Sequence, residues 1–114
     1  MKQFAFTIQL KDNQEAVETY CRYHQSVWPE VERDLAGVGV RRMRTYRIGE
    51  RLMTVIDADD SFVPDDLNHY ATCERTRQWD KIMNALQCPV PEAKPGEWWA
   101  EMELVYDNLW NMDR

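Results

Sequence analysis

The hydrophobic pattern of the chain changes period in a definite order, and this order restricts the fold more than any other feature. Apolar and polar residues alternate over 3–10, which predicts a half-buried strand. Apolar residues at three- and four-residue spacing then predict a helix that starts near Asp12, with Glu15 completing a capping box, and runs to about Ser26. Pro29 interrupts this helix and is predicted to begin a second one, because proline fits the first helical turn but not the interior.

The rest of the chain returns to strands, then to a helix, then to a strand. Val40–Ile48 and Arg51–Ala58 are predicted strands joined at Gly49, a composition typical of a hairpin. A helical pattern follows over about 65–87. The final segment, 97–106, alternates apolar and polar residues and predicts a last strand.

The resulting β-α-β-β-α-β order predicts an α+β protein of the ferredoxin-like type, with a four-stranded antiparallel sheet and helices on one face. Residues 1–114 are treated as a single domain, since domains typically contain about 100–150 residues and no linker or repeat divides the chain. Both sets of alternating strand positions contain large apolar side chains. The face without helices would therefore expose an apolar surface, which predicts a homodimer that packs two sheets face to face.

Charge and composition exclude several classes of partner. The net charge of −6 and the pI near 4.9 argue against nucleic acid, because binding it depends on Lys and Arg neutralising phosphates. No apolar run approaches the roughly 20 residues of a membrane-spanning helix, and the first residues lack the apolar stretch of a signal peptide, so neither membrane insertion nor secretion is expected. The three cysteines are an odd number, and reduced thiols in the cytoplasm are the expected state.

The sequence offers few candidates for acid–base catalysis near neutral pH, because only histidine has an unperturbed pKa in that range and the chain has two histidines. His69 falls on the polar side of its helical segment and is expected at the surface. Tyr20, His24 and Trp28 are spaced four residues apart, which predicts that Tyr20 and His24 lie one turn apart on a single helical face. These three rings are a candidate wall for a small-molecule pocket; the alternative is a core histidine hydrogen-bonded to Tyr20.

Metal and cofactor motifs are absent from the sequence. Cys21 and His24 have metal-like spacing, but no second Cys/His pair completes a tetrahedral site. No phosphate-binding loop or dinucleotide fingerprint occurs among the four glycines. We therefore expect neither a metal nor a cofactor.

Segment 20–30 reads Tyr-Cys-Arg-Tyr-His-Gln-Ser-Val-Trp-Pro-Glu and resembles the Tyr-x3-His-x3-Trp-Pro-Glu signature of the L-rhamnose mutarotase family. Further similarities are a Gly-x-Gly and strand at 37–46, a Trp-x-Lys-x-Met run at 79–83 and a Glu-x-Val-aromatic stretch at 103–106. The likeness extends over nearly the whole chain in order. It implies the family's fold, a dimeric α+β barrel of ferredoxin-like subunits, and its reaction, the exchange of sugar anomers without a cofactor.

The resemblance also implies roles for single residues. His24 takes the position of the catalytic proton donor, Tyr20 that of a sugar-binding residue and Trp79 that of a residue stacked on the sugar. Trp28 and Trp98 are further candidates for substrate binding, because indole faces suit the C–H surface of a monosaccharide.

The acid–base partner of His24 and the function class both remain open at this point. Tyr20, Asp80 or a glutamate of the last strand, Glu101 or Glu103, are candidates for the base, although the two glutamates also suit a solvated or dimer-facing edge. The fold is shared with small oxygenases and haem-handling proteins, in which His24 would be an axial ligand. A sugar-binding module without catalytic activity is a third class.

The sequence departs from the family at two pocket positions. Met43 replaces a substrate-contacting tyrosine, and Asp80 replaces a second tryptophan beside Trp79. The polar side chain that hydrogen-bonds the sugar would thus lie on the Asp80 side of the pocket instead of the Met43 side. Because L-fucose and L-rhamnose differ in hydroxyl orientation, this change favours L-fucose as the substrate.

Overall fold

The computed structural model of the chain describes residues 1–109, and within that range it contains three α-helices and five strands. The strands are β1 (Lys2–Leu10), β2 (Val40–Ile48), β3 (Arg51–Ala58), β4 (Gln87–Cys88) and β5 (Ala100–Glu101). The helices are α1 (Gln14–Tyr23), α2 (Pro29–Gly37) and α3 (Glu74–Leu86), and a short 3-10 helix occupies Pro64–Asn68. No helix in this part of the chain is long and apolar enough to cross a membrane.

The sheet is antiparallel and has β1 at its centre. β3 pairs with one edge of β1 along its length, and β2 pairs with the outer edge of β3. β4 pairs with Gln9 and Leu10 at one end of the other β1 edge, while β5 pairs with Phe6 and Thr7 further along it. The predicted ferredoxin-like α+β fold is therefore confirmed, with two short strands sharing the position of the fourth strand.

The core lies between the sheet and the helices, because one set of alternating side chains on β1 and β3 points to the helical side. Phe6 and Ile8 on β1, together with Leu52 and Ile56 on β3, are at most 2% exposed. Burying each of these side chains contributes about 1.5–3 kcal/mol. The predicted β2–β3 hairpin is also present, and Gly49 takes the positive φ of 56° that its turn requires.

The opposite face of the sheet carries a mixture of apolar and basic side chains. Met53 and Val55 on β3 are half-buried there, and Tyr46 on β2 is 50% exposed. Arg42 and Arg44 on β2 are exposed beside them. The predicted bare face exists, but it is less apolar than the alternation indicated.

The predicted last strand over 97–106 is wrong in its extent. Only Ala100–Glu101 pairs with β1, and a backbone bond from Met102 N–H to Ala5 O at 2.7 Å follows. Beyond it no strand is formed up to residue 109, and Leu104 and Val105 are 64% and 78% exposed. The alternation in this segment marks apolar side chains that residues 1–109 leave exposed.

The boundaries of α1 also differ from the prediction. The cap is Asn13 rather than Asp12, since the Asn13 side chain accepts a hydrogen bond from the backbone N–H of Ala16 at 2.6 Å. The helix ends at Tyr23, before the predicted end near residue 26.

The helical pattern over 65–87 divides into the 3-10 helix and α3. Between them, Asp34 of α2 accepts hydrogen bonds from the backbone N–H of Thr72 at 2.9 Å and from its hydroxyl. These bonds hold the chain extended just before Cys73, the N-cap of α3. The Thr72 hydroxyl bond is also the largest cause that lowers the pKa of Asp34 to about 2.

Candidate functional site

A cavity of about 240 Å³ lies between the helices and the sheet. Six of the residues singled out in the sequence line it: Tyr20, His24, Met43, Trp79, Asp80 and Trp98. Trp28 does not line it, and neither do Glu101 and Glu103, which are exposed on and beyond β5. The predicted cleft thus exists, and neither glutamate lines it in the single chain.

Tyr20 and His24 lie together at the C-terminal end of α1. Their ring centroids are 4.1 Å apart with an interplanar angle of 25°, so the phenol and the imidazole are stacked. The four-residue spacing produces this contact because side chains one helical turn apart lie above one another. Tyr20 is buried, whereas His24 is exposed at the cavity.

The backbone fixes the tautomer of His24. Nδ1 of His24 lies 2.9 Å from the carbonyl oxygen of Tyr20, and because a carbonyl can only accept, Nδ1 must carry the proton. Partial desolvation of the ring lowers the pKa of His24 below its usual value of 6.5, and the bond to Tyr20 offsets only part of this effect. At neutral pH the imidazole is therefore uncharged, and its Nε2 is free to accept a proton.

Trp79 is the centre of an aromatic cluster rather than an open platform. It packs edge-to-face against His24 at 5.3 Å, against Trp28 at 5.2 Å and against Tyr23 at 5.8 Å between ring centroids. Only 3% of its surface is exposed. The guanidinium carbon of Arg75 lies 3.6 Å from the ring centroid of Trp28. Trp28 therefore supports Trp79 and does not line the cavity.

A buried amide holds one of the predicted residues. Gln87 is 4% exposed, and its Oε1 accepts the indole N–H of Trp98 at 2.9 Å. Tyr20 lines the same cavity, and burial is the main cause that raises its pKa, with a smaller opposing contribution from Gln87. Half-buried Trp98 is thus held at the cavity by a buried side chain.

Asp80 has a partner that the sequence did not indicate. The hydroxyl of Tyr70 donates a hydrogen bond to Oδ1 of Asp80, and both residues line the cavity. Burial is the largest cause that raises the pKa of Asp80 above 3.8, while the bond from Tyr70 lowers it. Burial likewise raises the pKa of Tyr70, followed by its contact with Asp80.

The β2 side of the cavity offers few free polar groups. Met43 presents a thioether there and is 37% exposed. The hydroxyls of Thr45 and Thr54 are 2.8 Å apart, and Thr54 donates to the carbonyl of Arg44 at 3.2 Å. The Thr45 hydroxyl must therefore be the donor in its hydrogen bond with the Thr54 hydroxyl.

Tyr70 and Gln87 are the site residues that sequence reasoning missed. Both fell within an amphipathic pattern, where Tyr70 counted as an apolar position and Gln87 as the end of a helix. Their roles depend on contacts between separate elements, for which the chain offers no local signal. Among residues 1–109, no group of three His, Cys, Asp or Glu side chains is arranged to hold a metal ion.

Residues 3–108 match the L-rhamnose mutarotase family. A UPF0734 protein from Dictyostelium discoideum is 33% identical over 114 residues, which cover 96% of this chain and 91% of that protein. An L-fucose mutarotase from Xanthomonas campestris pv. campestris is 27% identical over 109 residues, which cover 93% of this chain and 87% of that protein.

Solved structures with the same architecture are more distant in sequence. An L-rhamnose mutarotase from Formosa agariphila has a TM-score of 0.67 at 20% identity, over 94% of this chain and 98% of that chain. Tetracenomycin F2 cyclase from Streptomyces glaucescens, a type-II polyketide cyclase, has a TM-score of 0.60 at 16% identity, over 94% and 96%. At these identities the likeness establishes the fold alone.

Proposed function

Because the chain belongs to the L-rhamnose mutarotase family, we propose that it is a sugar isomerase that interconverts the α and β pyranose forms of a 6-deoxy-L-hexose and prefers L-fucose to L-rhamnose. One observation carries the proposal: the imidazole of His24 is stacked on the phenol ring of Tyr20 in a cavity that the indole of Trp98 also lines. Proton-transfer groups and an apolar wall for a sugar are thus in one place.

The reaction consists of two proton transfers around the opening of the ring. A base removes the proton of the anomeric hydroxyl while an acid protonates the ring oxygen, and closure on the other face of the carbonyl reverses both steps. Each positioned acid or base contributes typically about 10²–10⁴-fold to such a rate. His24 and Tyr20 are the pair that we assign to these steps, and because no oxidation state changes, the reaction requires no redox cofactor.

The size and wall of the cavity suit a monosaccharide. Its volume of about 240 Å³ is below the range of about 300–1,000 Å³ that is usual for drug-sized ligands. The apolar wall around Trp98 and Met83 offers a place for the methyl group of a 6-deoxy sugar, which contributes about 0.8 kcal/mol when buried.

The preference for L-fucose is argued from the distribution of polar groups. L-Fucose and L-rhamnose share the 6-deoxy group and differ in the orientation of the hydroxyls at C2 and C4. Asp80, held at one oxygen by Tyr70, offers a charged acceptor on the α3 side, whereas Met43 offers only a thioether on the β2 side. The similarity to an L-fucose mutarotase supports the same preference.

Saturation-transfer NMR tests the proposal directly, because it reports exchange between anomers at equilibrium. With L-fucose, L-rhamnose and their parent hexoses as the panel, we expect exchange faster than the spontaneous rate, fastest for L-fucose. The double variant Asp80→Trp with Met43→Tyr should shift the preference towards L-rhamnose. Binding of a deoxyhexose without faster exchange would instead identify a sugar-binding module, and equal fucose-to-rhamnose ratios in both proteins would contradict the assigned specificity.

We also propose that two copies of the chain form a homodimer through the bare face of the sheet. Val55 and Met53 are half-buried there, and Tyr46 is half-exposed. Leu104 and Val105, which this chain leaves exposed, add apolar surface that a second copy can cover.

The remaining expectations concern partners and location. The net charge of −6 disfavours nucleic acid, so a free monosaccharide and a second copy of the chain are the expected partners. The three cysteines are free thiols. The cytoplasm, where thiols stay reduced, is kept as the predicted location.

A further inference from the structure

We propose that Thr45 is a specificity-determining residue whose hydroxyl acts only as a hydrogen-bond acceptor, so that the sugar has to donate a hydroxyl proton to the β2 wall of the cavity. The inference rests on the proposed function and adds a requirement on the substrate. Thr54 is the positioning residue that fixes the direction, because its hydroxyl accepts the bond that Thr45 donates.

The two threonines face each other across the β2–β3 pair. Thr45 and Thr54 are register partners, and their hydroxyl oxygens are 2.8 Å apart. Side chains directly opposite each other on one face of an antiparallel pair lie close enough to interact. Both residues line the cavity, where Thr54 is 1% exposed and Thr45 is exposed. The contact is therefore set by the strand register and lies at the cavity wall.

The carbonyl of Arg44 decides which threonine donates. A carbonyl oxygen can only accept, so the Thr54 hydroxyl donates to the oxygen of Arg44, 3.2 Å away. A hydroxyl has a single proton, so the bond of 2.8 Å between the threonines has Thr45 as its donor. The Thr45 oxygen keeps lone pairs but no free proton, and it can only accept from a bound molecule.

The α3 wall of the cavity presents the same type of group. Asp80 accepts from the Tyr70 hydroxyl at Oδ1, and in its charged form it has only acceptor sites left. No Lys or Arg among residues 1–109 lines the cavity to bind an anion. A ligand that fits both walls therefore donates from one hydroxyl to Thr45 and from another to Asp80. A neutral sugar meets this requirement, whereas a phosphate or an ether at either hydroxyl does not.

Fluorine in place of a hydroxyl tests an acceptor directly, because a C–F group cannot donate a hydrogen bond. The probes are L-fucose analogues with fluorine at C2, C3 or C4. The penalty of each analogue is the factor by which its kcat/KM, measured by saturation-transfer NMR, falls below that of L-fucose. One of the three hydroxyls donates to Thr45, so the penalty at that position should depend on Thr45.

Thr45→Val removes the acceptor, so the penalty for fluorine at the sensitive position should shrink. Since the bond joins neutral groups, we expect the penalty to differ between variant and parent by roughly threefold to tenfold. The effect of fluorine on the reactivity of the sugar itself cancels in this comparison. Thr7→Val is the matched control, because the Thr7 hydroxyl donates to the carbonyl of Leu52 at 2.7 Å and does not line the cavity. Its penalties should equal those of the parent.

Thr54→Val tests the direction of the bond and keeps the Thr45 hydroxyl. Without its acceptor, Thr45 can turn its proton towards the cavity and donate to fluorine. We expect the penalty at the sensitive position to be smaller than in the parent. Thr54→Ser retains the accepting hydroxyl and should restore the parent penalty, an outcome that a purely structural role of Thr54 does not produce. Thr45→Val, at an exposed position, tests the proposal even where a Thr54 variant fails to fold.

Penalties that are the same in Thr45→Val as in the parent at all three positions would overturn the role of Thr45. An undiminished penalty in Thr54→Val would overturn the fixed direction. Dissociation constants of the same analogues give the same comparison without catalysis. Failure of the parent to accelerate anomer exchange would overturn the proposed function, and the dissociation constants would still decide the role of Thr45.

Discussion

The hydroxyl of Tyr70 donates a hydrogen bond to the Asp80 carboxylate at the cavity wall, although Tyr70 lies in the segment before α3 and Asp80 lies within α3, ten positions later. Burial favours the uncharged form of Asp80, and the bond from Tyr70 favours the charged form. Tyr70 therefore helps to keep a carboxylate as an acceptor at the place where the proposed sugar hydroxyl would bind.

Removing this bond should change substrate preference. In Tyr70→Phe the Asp80 carboxylate loses its donor, so its pKa rises further and its orientation is less fixed. Since a hydrogen bond to a charged group contributes about 1.5–3 kcal/mol, we expect the fucose-to-rhamnose ratio of kcat/KM to fall roughly tenfold or more. Exchange rates for both sugars give this ratio. Tyr46→Phe, at an exposed tyrosine outside the cavity, is the control, and an unchanged ratio in Tyr70→Phe would argue against the role of Asp80.

The protonation state of His24 should set the acid limb of the pH profile. Its pKa is lowered from 6.5 because the surrounding rings desolvate it, so the neutral, proton-accepting form persists to lower pH than in free histidine. We expect kcat/KM to fall only as the pH drops below about 6.5.

Substitution of the same residue checks this assignment. His24→Ala should lose about 10²–10⁴-fold in kcat and stay folded. His69→Ala, where the exposed imidazole lies 3.2 Å from the exposed Asp65, should retain the parent activity. An active His24→Ala protein would remove His24 from the mechanism.

Substitutions of Trp28 and Trp98 should affect different properties, stability in the first case and catalysis in the second. Trp28→Phe weakens the support of Trp79 and the contact with Arg75, so we expect a lower melting temperature with KM near that of the parent. Trp98→Phe removes both part of the cavity wall and the donor to Gln87, so KM should rise and kcat should fall. Thermal unfolding and saturation-transfer kinetics measure both effects. A large rise of KM in Trp28→Phe would mean that Trp28 contacts the sugar after all.

Asp34 should make stability depend on pH in the acid range. Hydrogen bonds from Thr72 hold its folded pKa at about 2, below the value of 3.8 expected for the unfolded chain. Its stabilising contribution is therefore complete above about pH 4 and is lost as the pH falls towards 2. Asp34→Asn should be less stable than the parent at pH 7, and the difference should shrink at pH 2–3 in urea titrations. Asp12→Asn, at an exposed aspartate, should show no such pH-dependent difference.

The oligomeric state tests the proposed use of the bare sheet face. Sedimentation should give a mass near 27 kDa, twice the 13.6 kDa of the chain. Val55→Glu would place a charge among the half-buried residues of that face and should shift the protein to monomer. Glu18→Gln, on the exposed side of α1, should leave the mass unchanged. A monomeric parent at micromolar concentration would rule out the dimer.

The features that could be predicted from the sequence are those that depend on residues close together in the chain. The Gly49 hairpin and the stacking of Tyr20 on His24 are set by residues only a few positions apart, and both are present. The cap of α1 was assigned one position too early because Asp12 and Asn13 are both suitable capping residues, and only the three-dimensional contact with Ala16 distinguishes them.

What could not be predicted depends on contacts between distant elements. Gln87 gains its role from Trp98, eleven positions away, whose indole N–H it accepts at the cavity wall. The strand prediction for the segment after β5 was wrong for a related reason. Alternation shows that one side of a segment is apolar, but it does not show which surface will cover that side. Leu104 fits a strand pattern and is nevertheless 64% exposed.

The division of the fourth strand into β4 and β5 has a consequence for how the substrate range of this protein can change. Both short strands are anchored on the same edge of β1, and the irregular segment 89–99 between them carries Trp98 to the cavity. The proposed proton-transfer pair, in contrast, lies at the C-terminal end of α1. Insertions or deletions within 91–96 can therefore remodel the sugar-facing wall while both anchors hold, which makes this loop a natural target for engineering acceptance of larger sugars without rebuilding the acid–base machinery.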